Sequence, residues 1–201
     1  MDTFRAHRLR IVTEVTSTVE LNEHQGSAIR GAIFHAMRRR FCGNQDADEC
    51  AVCPLVSTCP VATLLSTYKP GSERGRDVPR PYTIQPPLPE DGGHPVEDDR
   101  GRLFFHYRPG ARFAFGLTLY AQALNLFPYV VLTVRTFEEG GLGRRLERAR
   151  GRWRRGTLAV QEIWAENPLT DQREPVLEKD DDIVQVPDEP VTHEQVERFA
   201  A

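Results

Sequence analysis

Lysine is almost missing from this chain: only Lys69 and Lys179 occur in 201 residues, so arginine carries the positive charge. A GC-rich coding genome explains that choice of arginine over lysine, but not where the arginines cluster. No run of eighteen apolar residues occurs, which excludes a membrane-spanning helix of ordinary length. The opening residues, Met1-Asp2-Thr3-Phe4-Arg5, lack the apolar core of a secretory signal. There is no internal repeat. Cysteine is absent except within one stretch of eighteen residues, where Cys42, Cys50, Cys53 and Cys59 are spaced C-x7-C-x2-C-x5-C. Without an export signal the expected compartment is the reducing cytoplasm, where close-set thiols bind metal more readily than they form disulfides.

Four thiolates can close a tetrahedral shell, and a C-x2-C step lets two of them grip one ion. A structural zinc site is therefore the first expectation for Cys42, Cys50, Cys53 and Cys59. A [4Fe–4S] cluster is the alternative, because C-x2-C-x5-C is compact and Cys42 can act as the remote ligand. Four reduced thiols without metal remain the third possibility.

Charge is segregated along the chain. Residues 166–201 hold eleven acids against three bases, whereas residues 1–165 hold eighteen acids against twenty-three bases. A basic body followed by an acidic, proline-containing tail suits a protein that handles an anionic polymer.

Local patterns predict a mixed α+β fold. Leu9, Ile11, Thr13 and Val15 alternate with Arg8, Arg10 and Glu14, Val12 being the exception, which is the signature of a half-buried strand. Ile29, Ala32, Ile33, Ala36, Met37 and Phe41 form one apolar stripe of a helix over 26–41, with Ser27 as its expected N-cap. Residues 42–80 read as a cysteine-rich insertion and loose loop, 81–88 as an edge strand and 89–99 as a polar loop. Residues 103–108 and 112–120 read as a hairpin closed by Pro109-Gly110-Ala111. A helix is expected over 125–138, ended by Gly140, Gly141 and Gly143, and a strand over 152–164. The order is βαββαβ, the ferredoxin-like arrangement shared with the RNA-recognition motif. The expected organisation is a ferredoxin-like RNA-binding domain at 1–165 and, at 166–201, an acidic linker or the start of a missing second domain. A T-x-x-Q capping pattern at Thr192 and Gln195 starts a short helix in that tail.

At 100° per residue the apolar stripe centres near about 30°, while His35 falls near about 240°, beside Arg38 and Arg39 on the polar face. Seven arginines (144, 145, 148, 150, 152, 154 and 155) lie within twelve residues, directly after the glycines. Guanidinium forks grip phosphate oxygens and glycines admit close approach, so an RNA backbone fits this segment. The alternative is that these arginines pair with Glu138, Glu139, Glu147 or the acidic tail. Tyr82, Phe105, Tyr107 and Trp153 are the aromatic residues available for base stacking, if they are not core.

The segment Ile29-Arg30-Gly31-Ala32-Ile33-Phe34-His35-Ala36-Met37-Arg38-Arg39 resembles the CRISPR-associated endoribonucleases that cut precursor CRISPR RNA, members of the RAMP superfamily. The resemblance continues through Cys50–Pro60, Arg80-Pro81-Tyr82, Tyr107–Gly110, Phe115–Tyr120 and Gly140–Trp153. It covers most of residues 26–155. Such enzymes look like two ferredoxin-like domains in tandem, and this chain holds one. The resemblance implies metal-independent cleavage of repeat RNA by the substrate's own 2′-hydroxyl, with His35 as acid or base. The residues expected to contact RNA are Arg30, Arg38, Arg39, Arg144, Arg145, Arg148, Arg150 and Arg152; the expected partners are CRISPR repeat RNA and other CRISPR-associated proteins, with no membrane. A non-catalytic RNA-binding RAMP subunit and a metal-stabilised protein-interaction module are the competing readings.

Overall fold

The computed structural model describes residues 4–66, 79–148, 151–181 and 183–200. In chain order these residues form β1 (Arg5–Val15), β2 (Val19–Asn22), α1 (Gln25–Phe41) and β3 (Tyr82–Gln85). Next come β4 (His94–Glu97), β5 (Leu103–Tyr107), β6 (Arg112–Tyr120), α2 (Phe127–Arg135) and α3 (Phe137–Gly140). The remainder is β7 (Leu142–Arg148), β8 (Arg152–Gly156), β9 (Leu158–Asn167), β10 (Gln172–Leu177), β11 (Val191–Thr192) and α4 (His193–Ala200). A 3-10 turn at Cys50–Val52 and a π-helical turn at Ala62–Ser66 shape the cysteine segment.

The main sheet runs β10-β9-β1-β6-β3, and β11 pairs the first residues of β1. Every pairing in it is antiparallel. The alternation of β1 explains its central place: Leu9, Ile11, Thr13 and Val15 are all buried on one face. α1 presses Ile29, Ala32, Ile33, Ala36 and Met37 into the same core, and α2 adds Phe127, Val130, Val131 and Val134. The two helices pack against each other.

Several local expectations change. α1 starts at Gln25 rather than behind a Ser27 cap, and no side chain caps it. The cause is tertiary: the Tyr107 hydroxyl donates to Gln25 Oε1 at 2.6 Å inside the core, holding Gln25 as the first residue of the helix. Burial raises the Tyr107 pKa, so that donor keeps its proton. Secondly, β5 and β6 do not form a hairpin. β5 pairs with β2 and β4 in a separate three-stranded sheet, and Pro109-Gly110 carries the chain from one sheet to the other. Thirdly, residues 89–99 are not a plain loop. Asp91 is buried and takes both Arg10 Nη2 at 2.6 Å and the Leu88 amide at 2.9 Å, which pins a 3-10 turn ahead of β4.

The expected strand over 152–164 is two strands, β8 and β9, which join different sheets. Residues 166–201 carry β10, β11 and α4 and extend the main sheet at its β9 edge and along β1. The Thr192–Gln195 pattern caps α4: Gln195 Oε1 accepts from the Thr192 amide at 3.0 Å.

Candidate functional site

The polar flank of α1 faces the β7–β8 hairpin. Between them lies a cavity of about 320 Å³, into which His35, Arg39, Arg145 and Arg155 converge. Ala32 and Ala36 form its floor on the helix, and Phe137, Gly140 and Gly141 its far wall. His35 is exposed and stands edge-on to Phe34, with ring centroids 5.5 Å apart. Among the described residues no carboxylate ion-pairs with Arg39, Arg145 or Arg155. Glu138, the obvious neighbour, instead takes the Val160 amide at 3.2 Å. The result is a histidine beside three uncompensated guanidinium groups, an environment suited to an oxyanion.

The glycines build this geometry through the protein's own packing. Gly141 has φ +69°, and a Cβ there would stand 2.6 Å from the Gly156 carbonyl and 2.8 Å from Arg155 Cβ. Gly143 has φ +82° and passes the Glu20 carbonyl, which an added Cβ would meet at 2.3 Å. Both need left-handed backbone and bare Cα atoms so that the hairpin can close against β2. That closure carries Arg145 and Arg155 to α1.

The other predicted contact residues lie elsewhere. Arg144 pairs with Glu20 at 3.2 Å and covers the Phe104 ring at 4.7 Å, away from the cavity. Arg38 donates to the Gln45 and Ala47 carbonyls, each at 3.3 Å, and so ties the cysteine segment to α1. Arg30 lines a different cavity, on the opposite flank of α1. Arg152 is exposed on β8, opposite Arg148 in the ladder. The Arg148 side chain and Arg150 fall outside the described residues. Of the aromatic residues, Tyr107 and Tyr82 are buried and Phe105 packs at the core margin, leaving Trp153, 62% exposed, as the one with an open face.

Arg155 was visible in the arginine run, but nothing local distinguished it from Arg154. Its place on the His35 cavity depends on the approach of segments more than a hundred residues apart.

Cys42, Cys50, Cys53 and Cys59 are all half-buried free thiols lining one enclosure of about 40 Å³ together with Arg38, Asn44 and Asp48. Asn44 Nδ2 lies 3.9 Å from Cys53 Sγ. In donor type and number the set suits a soft metal ion. In position, no group of three or more His, Cys, Asp or Glu among the described residues is arranged to hold one.

Residues 4–190 match a family model described as AF_1859_N, N-terminal domain. No curated protein matches the chain. Among solved structures, it overlays a chain of the Csm3–Csm4 subcomplex of a type III-A CRISPR-Cas interference complex with a TM-score of 0.52 and 12% identity, covering 89% of this chain and 92% of that one. A chain of a type IV-B CRISPR complex gives a TM-score of 0.43 at 14% identity, over 89% of this chain and 96% of that one. Csc2 of Thermofilum pendens gives 0.37 at 13% identity, over 81% and 67%. The first of these establishes likeness of fold. No helix among the described residues is long and apolar enough to cross a membrane.

Proposed function

The chain belongs to the AF_1859_N N-terminal-domain family, and from that premise we propose that it is a CRISPR-associated RNA-binding protein of the RAMP type that cleaves precursor CRISPR repeat RNA. The carrying observation is the convergence of His35 with Arg39, Arg145 and Arg155 on one cavity. The strand order β9-β1-β6-β3, with α1 and α2 packed on the sheet, supports a ferredoxin-like RNA-binding unit over residues 1–165, with 42–80 inserted and 166–201 as an acidic extension.

The chemistry follows from what the cavity offers. The substrate's 2′-hydroxyl loses its proton, its oxygen bonds to the adjacent phosphorus, and the bond to the 5′-oxygen breaks. A 2′,3′-cyclic phosphate and a 5′-hydroxyl result. His35 serves this reaction as base toward the 2′-hydroxyl or as acid toward the leaving oxygen. The three guanidinium groups stabilise the charge that builds on the phosphorane. The nucleophile comes with the substrate, so the reaction places no demand on a metal. The four thiols would serve structure, holding zinc or, alternatively, a [4Fe–4S] cluster.

The test is incubation with repeat RNA in EDTA. His35→Ala should lower the rate of cyclic-phosphate formation about 10²–10⁴-fold, the range of general acid–base catalysis, while leaving affinity nearly unchanged. Arg155→Ala should instead weaken binding and flatten the slope of log K against log salt by about 0.7, the loss of one phosphate contact to a single strand. Cleavage that persists undiminished in His35→Ala rejects this assignment. Binding without cleavage by the parent protein supports the second reading, a non-catalytic subunit holding a guide RNA. That reading is favoured by the fold shared with a chain of an interference complex and by the lining of the cavity, where His35 is the one side chain among the described residues suited to acid–base work.

A further inference from the structure

Trp153 lies open to solvent on β8, and among the described residues no aromatic ring packs on it and no guanidinium covers its face. One exposed apolar side chain is ordinary. What distinguishes Trp153 is the face of the hairpin it occupies.

Successive residues of a strand point to opposite faces, and the β7–β8 ladder shows both. On one face, Arg144 pairs with Glu20, and a Cβ on Gly156 would run into the Thr18 carbonyl. On the other, Arg145 and Arg155 line the His35 cavity. Trp153 is two residues from Arg155 on β8 and so shares the cavity face. The shift in the ladder does not disturb this. Between the pairs Leu142–Gly156 and Leu146–Arg154, β7 advances four residues and β8 two, both even steps, so neither strand changes face. From Arg154 to Arg152 the register is unbroken.

Two strand residues span about 7 Å, within the reach of one nucleotide. A phosphate beside Arg155 therefore brings a neighbouring base to the indole. Arg152 and Arg154, on either side of Trp153, are exposed and have no carboxylate partner among the described residues. An open aromatic face set among unpaired guanidinium groups is the composition that binds single strands: the arginines follow the backbone and the ring takes a base. A duplex keeps its bases paired and stacked inside, and would offer the indole only its backbone.

We propose that Trp153 is a positioning residue whose indole stacks on an unpaired base next to the phosphate held in the His35 cavity, so that the β7–β8 hairpin selects single-stranded over duplex RNA at that point. The inference deepens the RNA-binding reading and rests on it, but stacking needs no cleavage.

Binding is measured in EDTA on the His35→Ala chain, so that the ligand stays whole. One probe is an oligoribonucleotide of mixed sequence without internal pairing; the other is the same strand annealed to its complement. The single strand should quench tryptophan emission. Trp153→Phe in that background should abolish the quench, although Trp164 remains, and keep most of the affinity. Trp153→Ala should melt like its parent, because the side chain is exposed. It should bind the single strand about 5–150-fold more weakly, the worth of one stacked base, and the duplex unchanged. The slope of log K against log salt should not move, because stacking releases no counterion, whereas Arg155→Ala flattens it. If the single strand binds but the quench is absent or survives Trp153→Phe, or if Trp153→Ala binds it like the parent, the proposal falls and the RNA-binding reading stands. Equal quenching and equal loss with the duplex also overturn it, since no unpaired base is then being read. If neither probe binds, the RNA-binding reading fails and takes the proposal with it.

Discussion

Gly141 shows how much of this site hangs on one missing methyl group. Its φ of +69° already disfavours a side chain, and the atoms an added Cβ would meet are the Gly156 carbonyl, which is backbone, and Arg155 Cβ, which the backbone holds in place, so neither can swing aside. Gly110 provides the control, because its φ is +79° but nothing lies within 4 Å of an added Cβ. Gly110→Ala should cost about 1 kcal/mol, the left-handed penalty alone. Gly141→Ala should cost more, about 2–4 kcal/mol, because strain and overpacking add to that penalty. A thermal melt should therefore place Gly141→Ala several degrees below Gly110→Ala, and RNA affinity should fall with it as Arg145 and Arg155 leave α1. Equal melting temperatures would mean that the hairpin relaxes freely around the new methyl group. His35 and Arg39 illustrate the opposite case: four residues apart on α1, they share a face by helix geometry alone.

At the scale of elements, the cysteine segment is anchored at both ends. Arg38 holds the Gln45 and Ala47 carbonyls at its start, and Val61, Leu64 and Leu65 are buried in the main core at its end. Between these anchors the four thiols share one enclosure and little else packs. If a metal closes that enclosure, Cys50→Ser and Cys53→Ser should each lower the melting temperature and release one equivalent of zinc, or the iron of a cluster, as read by elemental analysis. RNA cleavage at a temperature where the variants remain folded should be nearly unchanged. Variants that melt like a metal-free parent would show that packing at the two anchors suffices. The β7–β8 hairpin is the other element that matters for the site. Read locally, its residues are a glycine-arginine run; folded, they are two strands that bring Arg145 and Arg155 to α1 while Arg144 turns toward Glu20.

For the molecule as a whole, the acidic tail is part of the sheet. Val176, Leu177 and Val191 are each buried to within 9% of full coverage, and β10 covers the β9 edge. Burial of such side chains stabilises by about 1.5–3 kcal/mol apiece, so their sum approaches the whole stability of an average domain. Ending the chain after Asp171 should lower the melting temperature by more than about 10 °C or abolish cooperative unfolding, as followed by circular dichroism. A truncated chain that melts like the parent would make the tail a mere connector. Among the described residues, no acid of the tail ion-pairs with an arginine of residues 144–155, and the His35 cavity is lined by nothing beyond Arg155. Segregated charge thus leaves the basic cavity open to an anion. What the amino-acid order settled unaided was local: the alternation of β1, the stripe of α1, the Thr192–Gln195 cap, the thiol spacing and the opposition of basic body to acidic tail. Each follows from a period or a spacing of a few residues, which any chain carries on its face. The tertiary structure alone decided that β5 leaves β6 for β2 and β4, that Gln25 begins α1, and that Arg155 rather than Arg144 lines the His35 cavity. Those outcomes depend on which distant segments touch, and a hydrophobic pattern states that a face must be covered without stating what covers it.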